Sequence, residues 1–122
     1  MERRSLVKML GAGGAAAAAV ALTAGKASAQ EKVTIALIPG LTADGFYVTM
    51  HKGAQAAAKA LNVDLLYQGA AEWNVSLQVP ILEAIIAKKP AAILIAPNDK
   101  VQMIEPLRKA FEAGIQVVCV DT

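Results

Sequence analysis

The stretch KVTIALIP (residues 32–39) is the first of four apolar runs that decide the fold. It is short, rich in β-branched residues and followed by Gly40, which is the pattern of a buried β-strand that ends in a turn. Comparable runs occupy residues 63–67, 91–97 and 115–121. The sequence therefore predicts four strands.

An amphipathic segment follows the first strand. The apolar side chains that recur at helical spacing within residues 46–61 are Phe46, Met50, Ala54, Ala57 and Leu61. Lys52, Gln55 and Lys59 fall on the opposite side, so the segment predicts a helix with one apolar face.

A second segment covers residues 75–88, with Asn74 or Ser76 as its candidate N-cap. Pro80 predicts a late start or a kink, because proline lacks the N–H that the interior of a helix needs. A third helix is expected to begin after a cap formed by Asn98 and Asp99, and to run to about Ala113.

The resulting order βαβαβαβ predicts an α/β fold: a three-layer α/β/α sandwich built on a parallel sheet with right-handed crossovers. The nearly continuous apolar strands agree, since parallel strands are covered on both faces.

Charge is distributed unevenly along the 122 residues, whose formal net charge is +2. Residues 1–29 hold Arg3, Arg4, Lys8 and Lys26 against Glu2, which leaves the remainder of the chain slightly acidic. A protein that binds nucleic acid is expected to carry a basic surface on its folded part. Nucleic acid is therefore not an expected partner.

Residues 1–29 are interpreted as a cleavable signal peptide, with a basic start, a small-residue apolar tract and Ala27, Ser28 and Ala29 before the cleavage point. The arginine pair resembles the twin-arginine export motif, although Glu2 precedes it; ordinary secretion is the alternative. The expected location is the periplasm, and residues 30–122 are expected to form the folded domain.

The single cysteine, Cys119, excludes an intramolecular disulfide and a site with several thiolate ligands. Its valine neighbours predict a buried, small apolar residue.

Polar and aromatic residues follow the strands. Because ligands of open parallel sheets bind beyond the carboxyl ends of the strands, these residues are the candidate site. They suit a small polyhydroxylated ligand, since aromatic faces cover C–H surfaces and carboxylates accept hydrogen bonds from hydroxyls. The candidate ligand-binding residues are Asp44, Phe46, Tyr47, Trp73, Asn98 and Asp121.

Structural roles compete with binding at most of these positions. Phe46 suits a core position, Asp44 a helix cap, and Trp73 packing over the edge of the sheet. Asp121 is the hardest to explain by sheet stability, because it directly follows an apolar strand.

Catalysis finds no support in the sequence. The lone histidine, His51, falls beside Lys52 on the first helix and is expected to face solvent; no nucleophile or acid is placed to pair with it. The sequence contains no phosphate-binding loop and no spaced His/Cys set. A non-enzymatic protein without cofactor or metal is expected.

Several segments in combination, namely DGFYVTMHKGAQAAAKA, AAILIAPND and AGIQVVCVD, resemble the N-terminal lobe of ribose-binding-like periplasmic solute-binding proteins of sugar ABC transporters. The resemblance implies a monomeric sugar binder that delivers its ligand to a membrane permease. In that family the loop after the first strand commonly reads Asn-Pro-Phe-Phe, and its aromatics pack on the sugar. The resemblance thus assigns sugar contact to Phe46 and Tyr47, and hydroxyl acceptance to Asp44 and Asp121.

Such proteins have two lobes, so the chain is expected to be a truncated, one-lobed fragment. Ribose binders usually place arginine after the aspartate where this chain has Thr122, which argues against ribose itself. Two alternatives are a small nucleotide-binding or phospho-accepting α/β domain and the effector core of a lac-repressor-type regulator. The first would need an acidic cluster or glycine-rich turn after strand one, and the second a DNA-binding segment in place of residues 1–29.

Overall fold

The computed structural model describes residues 31–122, of which Lys32–Thr122 form one compact unit. The signal-peptide prediction for residues 1–29 lies outside the described residues. The elements in chain order are β1 (Thr34–Ile38), α1 (Gly45–Leu61), β2 (Asp64–Tyr67), α2 (Val75–Ala87), β3 (Ala92–Ile95), α3 (Ile104–Glu112) and β4 (Gln116–Cys119). The predicted βαβαβαβ order is confirmed.

The four strands form one parallel sheet in the order β2-β1-β3-β4. The first strand of the sequence is thus central, and it pairs Ile35 with Leu65 on one side and with Ala92 on the other. All strands point the same way, so the segments that follow them emerge at one edge of the sheet. We call this edge the carboxyl edge.

The hydrophobic core lies on the face of the sheet that α2 and α3 cover. Alternate strand residues such as Ile38, Ile93 and Ile95 point to this face and are fully buried. Leu82 and Ile85 of α2 pack against them. Burial on this scale contributes roughly 1.5–3 kcal/mol per large aliphatic side chain, which makes this face the main source of stability.

Helix α1 covers the opposite face, and its orientation differs from the predicted one. Phe46 and Leu61, both expected in the core, are exposed, whereas Tyr47 is the buried residue of the helix. The inward face is thus rotated by about one residue. The alanine-rich sequence gives a weak apolar periodicity, and the contacts of Tyr47 at the carboxyl edge decide the orientation instead.

Helix α2 begins at Val75, so the late start predicted from Pro80 is wrong. The side-chain oxygen of Asn74 accepts a hydrogen bond from the Ser76 N–H at 2.9 Å, which confirms Asn74 as the N-cap. A well-capped first turn keeps the helix intact although Pro80 lies within it.

Helix α3 begins later than predicted. Asp99 caps a turn rather than the helix: its Oδ1 accepts hydrogen bonds from the N–H groups of Gln102 (2.7 Å) and Val101 (2.8 Å), which lower the pKa of the carboxyl. The helix starts at Ile104 because Pro106 has no N–H to donate to the carbonyl one turn earlier, whereas proline is tolerated in a first turn.

Strand β4 is an edge strand that pairs only with β3 among the described residues. Cys119, at its end, is exposed, so the prediction of a buried cysteine is wrong. The apolar run VVCV predicted burial, but an edge strand is covered less than a central one.

Within residues 31–122, no helix combines the length and the hydropathy that crossing a membrane requires.

Candidate functional site

The start of α1 brings two aromatic residues to the carboxyl edge. Asp44 is the N-cap, and its Oδ1 accepts a hydrogen bond from the Phe46 N–H at 2.8 Å. This confirms the predicted capping role and leaves the second carboxylate oxygen of Asp44 without a hydrogen bond from the described residues. Phe46 and Tyr47 follow in the first helical turn.

Tyr47 is the centre of an aromatic group. Its ring lies 5.2 Å from that of Phe46 in an edge-on arrangement and 6.4 Å from the tilted ring of Trp73. Tyr47 is only 4% exposed, whereas Phe46 is 56% and Trp73 46% exposed. The outer two rings therefore keep accessible surface, and the middle ring is enclosed by them.

Gly40, after β1, makes this arrangement possible. A Cβ at this position would overlap the ring of Trp73 and would come within 2.7 Å of the Tyr47 hydroxyl oxygen. The absence of a side chain lets the backbone approach both aromatic residues closely. Two loops, the one between β1 and α1 and the one between β2 and α2, thus meet around Tyr47.

Asp121 joins the group from the end of β4. The Tyr47 hydroxyl donates a hydrogen bond to its Oδ2 at 2.8 Å. The pKa of Tyr47 is raised to about 12, first by burial, then by this hydrogen bond and by the negative charges of Asp121 and Asp44. The phenol is therefore protonated and acts as the donor throughout the physiological range.

Asn98 lies on the neighbouring loop but is held differently. Its backbone N–H donates to Oε1 of Gln78 at 2.8 Å. Both polar atoms of its side chain are buried and have no hydrogen-bond partner among the described residues. The preceding residue, Pro97, accepts a hydrogen bond at its carbonyl from the hydroxyl of Thr122 at 3.1 Å, which links this loop to the segment after β4.

Gln78 is a component of the edge that the sequence analysis missed. It is 1% exposed, and its Nε2 donates to the carbonyls of Ala96 (2.8 Å) and Pro39 (3.4 Å). Together with the bond from Asn98 it ties the ends of β1 and β3 to α2. The sequence contained one indication of this role, namely that a glutamine stands on the apolar face of α2, between Val75 and Leu82.

His51 does not face solvent, so the prediction for this residue is wrong. Its ring stacks on that of Tyr67, at the end of β2, with centroids 3.6 Å apart and planes inclined by 6°. Burial raises the pKa of Tyr67. The described residues contain no group of three or more His, Cys, Asp or Glu side chains that could hold a metal ion.

Five of the six predicted residues, all except Asn98, are thus linked by direct contacts: Asp44, Phe46, Tyr47, Trp73 and Asp121. Two of them, Phe46 and Trp73, keep exposed rings. A cleft of about 520 Å³ lies elsewhere along the sheet end, between Tyr67 and α2, and it contains none of the six. The aromatic group is the better candidate site of the two, because it combines accessible rings with hydrogen-bonded carboxylates.

Comparison with known proteins gives consistent matches. Residues 35–122 match the model of the periplasmic binding protein domain. A D-ribose/D-allose-binding protein of Pseudomonas aeruginosa is 37% identical over 103 residues, which cover 82% of this chain and 32% of that protein.

Solved structures match as well. A solute-binding protein of an ABC transporter from Agrobacterium vitis, bound to α-D-tagatopyranose, superimposes with a TM-score of 0.73 at 59% identity, covering 75% of this chain and 30% of that one. A periplasmic solute-binding protein from Actinobacillus succinogenes with bound D-allose gives 0.71 at 34% identity, covering 74% and 32%.

The chain spans about a third of the length of these relatives. The matched residues include all four strands and all three helices of the described unit except the first residue of β1. The chain therefore belongs to the periplasmic binding protein domain family.

Proposed function

We propose that this chain is the N-terminal lobe of an exported solute-binding protein of a sugar ABC importer, and that it recognises a monosaccharide or a related small polyol at its carboxyl edge. The observation that carries the proposal is the aromatic group around Tyr47, with a carboxylate on either side of it. Family membership and the sugar-bound relatives support the same conclusion.

The accessible rings supply the apolar half of such a site. Phe46 and Trp73 are exposed large side chains whose rings both lie next to that of Tyr47 at one edge. The C–H faces of a sugar ring pack well on aromatic faces. We infer that Phe46 and Trp73, rather than the enclosed Tyr47, contact the ring of the ligand.

The carboxylates supply the polar half. Asp44 and Asp121 each use one oxygen inside the protein and have a second oxygen free of hydrogen bonds from the described residues. Carboxylate oxygens are strong acceptors for hydroxyl groups. Asn98 would contribute only if its shielded amide rearranged on binding.

The charge of the edge favours a neutral ligand. The segments after the four strands contain the carboxylates of Asp44, Glu72, Asp99 and Asp121 and one basic side chain, Lys100. A phosphorylated or acidic sugar would meet net negative charge there. Neutral aldoses, ketoses and polyols meet no such penalty.

The open shape of the site fits a lobe that provides one wall. The relatives are about three times longer, and a second lobe closing by a hinge would supply the other wall. We infer that the chain performs no catalysis, works in the periplasm after removal of residues 1–29, and reaches a membrane permease only as part of a two-lobed protein.

The test is a titration with neutral sugars, read by the fluorescence of Trp73, the single tryptophan of the chain. We expect D-allose, D-tagatose or another member of a pentose and hexose panel to change the emission, weakly for the chain alone. A chimera that adds the remaining part of the Agrobacterium vitis relative should bind the same sugar more tightly and gain thermal stability with it.

Asp121→Ala should abolish the response, whereas Asp99→Ala, which removes a carboxylate engaged in its own turn, should retain it. No response of the chimera to any neutral sugar would refute the proposed function.

A further inference from the structure

The phenol of Tyr47 is fully occupied by the protein. The side chain is 4% exposed, its ring lies against those of Phe46 and Trp73, and Gly40 closes the space next to its hydroxyl. A ligand cannot reach this ring without displacing its neighbours. The hydroxyl has its one observed partner in Asp121.

Apart from the hydrogen bond from Tyr47, few contacts hold Asp121 in place. It follows the last ladder hydrogen bond of the sheet, which runs from the Val120 N–H to the Ile95 carbonyl at 2.9 Å. Its backbone is left-handed, with φ at 63°. The bond from Tyr47 is the only hydrogen bond that its carboxylate receives from the described residues, so without it the carboxylate would be free to rotate.

We propose that Tyr47 is a positioning residue for ligand recognition: its hydroxyl donates to Oδ2 of Asp121 and thereby holds Oδ1 in place as an acceptor for ligand hydroxyls. This inference rests on the proposed function. A phenylalanine, which the resemblance would lead one to expect at this position, has no hydroxyl, so the contact depends on the tyrosine of this chain.

The arrangement has a consequence for specificity. A free carboxylate can accept hydrogen bonds from two neighbouring hydroxyls of a sugar, one on each oxygen. With Oδ2 engaged by Tyr47, Oδ1 is the oxygen left without a partner among the described residues, and the orientation of the carboxylate is fixed before the ligand arrives. Fixing a group in advance increases affinity by lowering the entropy lost on binding.

The contact itself is tested without any ligand. In Tyr67→Phe, Tyr47 is the only tyrosine left, and its ionisation can be followed by tyrosinate absorbance. We expect a midpoint near the value of about 12 set by burial and by Asp121. Adding Asp121→Asn should move the midpoint toward the ordinary value of about 10, while adding Asp99→Asn should not. An unchanged midpoint in the Asp121→Asn protein would overturn the proposal.

The role in recognition is tested by titrating the full chain with D-allose and D-tagatose, read by Trp73 fluorescence. Tyr47→Phe keeps the ring and should weaken binding about tenfold, the effect of losing one charge-assisted hydrogen bond. In an Asp121→Asn background the same change should have little further effect. Equal losses in both backgrounds would show that Tyr47 acts on the ligand directly, which contradicts the proposal.

The tyrosinate titration and the sugar titration distinguish a failure of the proposed function from a failure of the proposed role of Tyr47. If neither the parent chain nor the chimera responds to any sugar, the proposed function fails and the role of Tyr47 in recognition fails with it. The tyrosinate titration would still decide whether Tyr47 holds Asp121. Urea denaturation of each variant identifies changes in affinity that come only from lost stability.

Discussion

The two faces of the sheet differ in how completely their side chains are buried. Beneath α2 and α3, Ile93 and its neighbours on that face are fully buried. Beneath α1, Leu94 is only half-buried, Leu61 is 74% exposed, and an apolar groove of about 180 Å³ lies between the helix and the sheet. We call these the closed face and the open face.

The difference follows from the side chains that each helix brings. The sheet-facing side of α1 is largely alanine, including Ala54 and Ala58, whereas α2 presents Leu82 and Ile85. Because hydrophobic stabilisation scales with the apolar area removed from water, small residues contribute little. The closed face holds most of the buried core, and α1 on the open face contributes its one buried side chain, Tyr47, to the carboxyl edge.

The largest expected effect distinguishes two adjacent residues of β3. Ile93→Ala on the closed face should lower the free energy of unfolding by about 4 kcal/mol, since it leaves a cavity in packed surroundings. Leu94→Ala on the open face should cost about 1–2 kcal/mol, because its side chain is already partly in contact with water. Urea denaturation measures both; equal losses would mean that the faces do not differ.

A smaller effect is expected where the closed face meets the carboxyl edge. Gln78→Leu would leave the Asn98 N–H and the Ala96 carbonyl without their partner, at a cost of about 2–3 kcal/mol. Gln55→Leu, an exposed change in α1, is the control and should lie within about 0.5 kcal/mol of the parent. A neutral Gln78→Leu in urea denaturation would refute the structural role of this glutamine.

The third prediction concerns Tyr47, the buried residue of α1. The folded pKa of Tyr47 is raised to about 12, above its ordinary value. The stabilisation is therefore complete below pH 10 and is lost as the pH rises from 10 to 12, because the unfolded chain releases the proton first.

The loss attributable to Tyr47 should approach about 2 kcal/mol by pH 12. Denaturation of the parent and of Tyr47→Phe at a series of alkaline pH values isolates this loss, since all other side chains are the same in both proteins. Parallel stability curves for the two proteins would count against the raised pKa.

The smallest effect is expected on the exposed side of α1. Leu61→Gln should change the free energy of unfolding by no more than about 0.5 kcal/mol, since the side chain has little burial to lose. A loss above 1 kcal/mol would show that the open face is packed more closely than the structure indicates. Thermal denaturation of the two proteins side by side is sufficient.

The sequence predicted the strands better than the faces of the helices. Four apolar runs bounded by turn residues identified every strand, because each is short and continuous. For α1 the periodicity selected Phe46, but alanine is compatible with either side of a helix. Tyr47 faces inward because its hydroxyl is hydrogen-bonded to Asp121, 74 residues away. A contact between residues so far apart in sequence leaves no local pattern.

The candidate site was predictable as a set of residues but not as a geometry. Parallel strands bring Asp44, Trp73 and Asp121 to one edge by topology alone. The enclosure of Tyr47 depends on Gly40, which the sequence presented only as part of a turn. Gln78 escaped notice because its three hydrogen-bond partners are backbone groups, which carry no sequence signature.

The separation between Tyr47 and Asp121 also bears on the order of folding. Closing a long loop costs more entropy than closing a short one, so contacts within each strand–helix–strand unit form before a contact that spans 74 residues. We therefore expect the carboxyl edge to be completed late in folding. A ligand held at this edge would slow the rate of unfolding and leave the rate of folding almost unchanged.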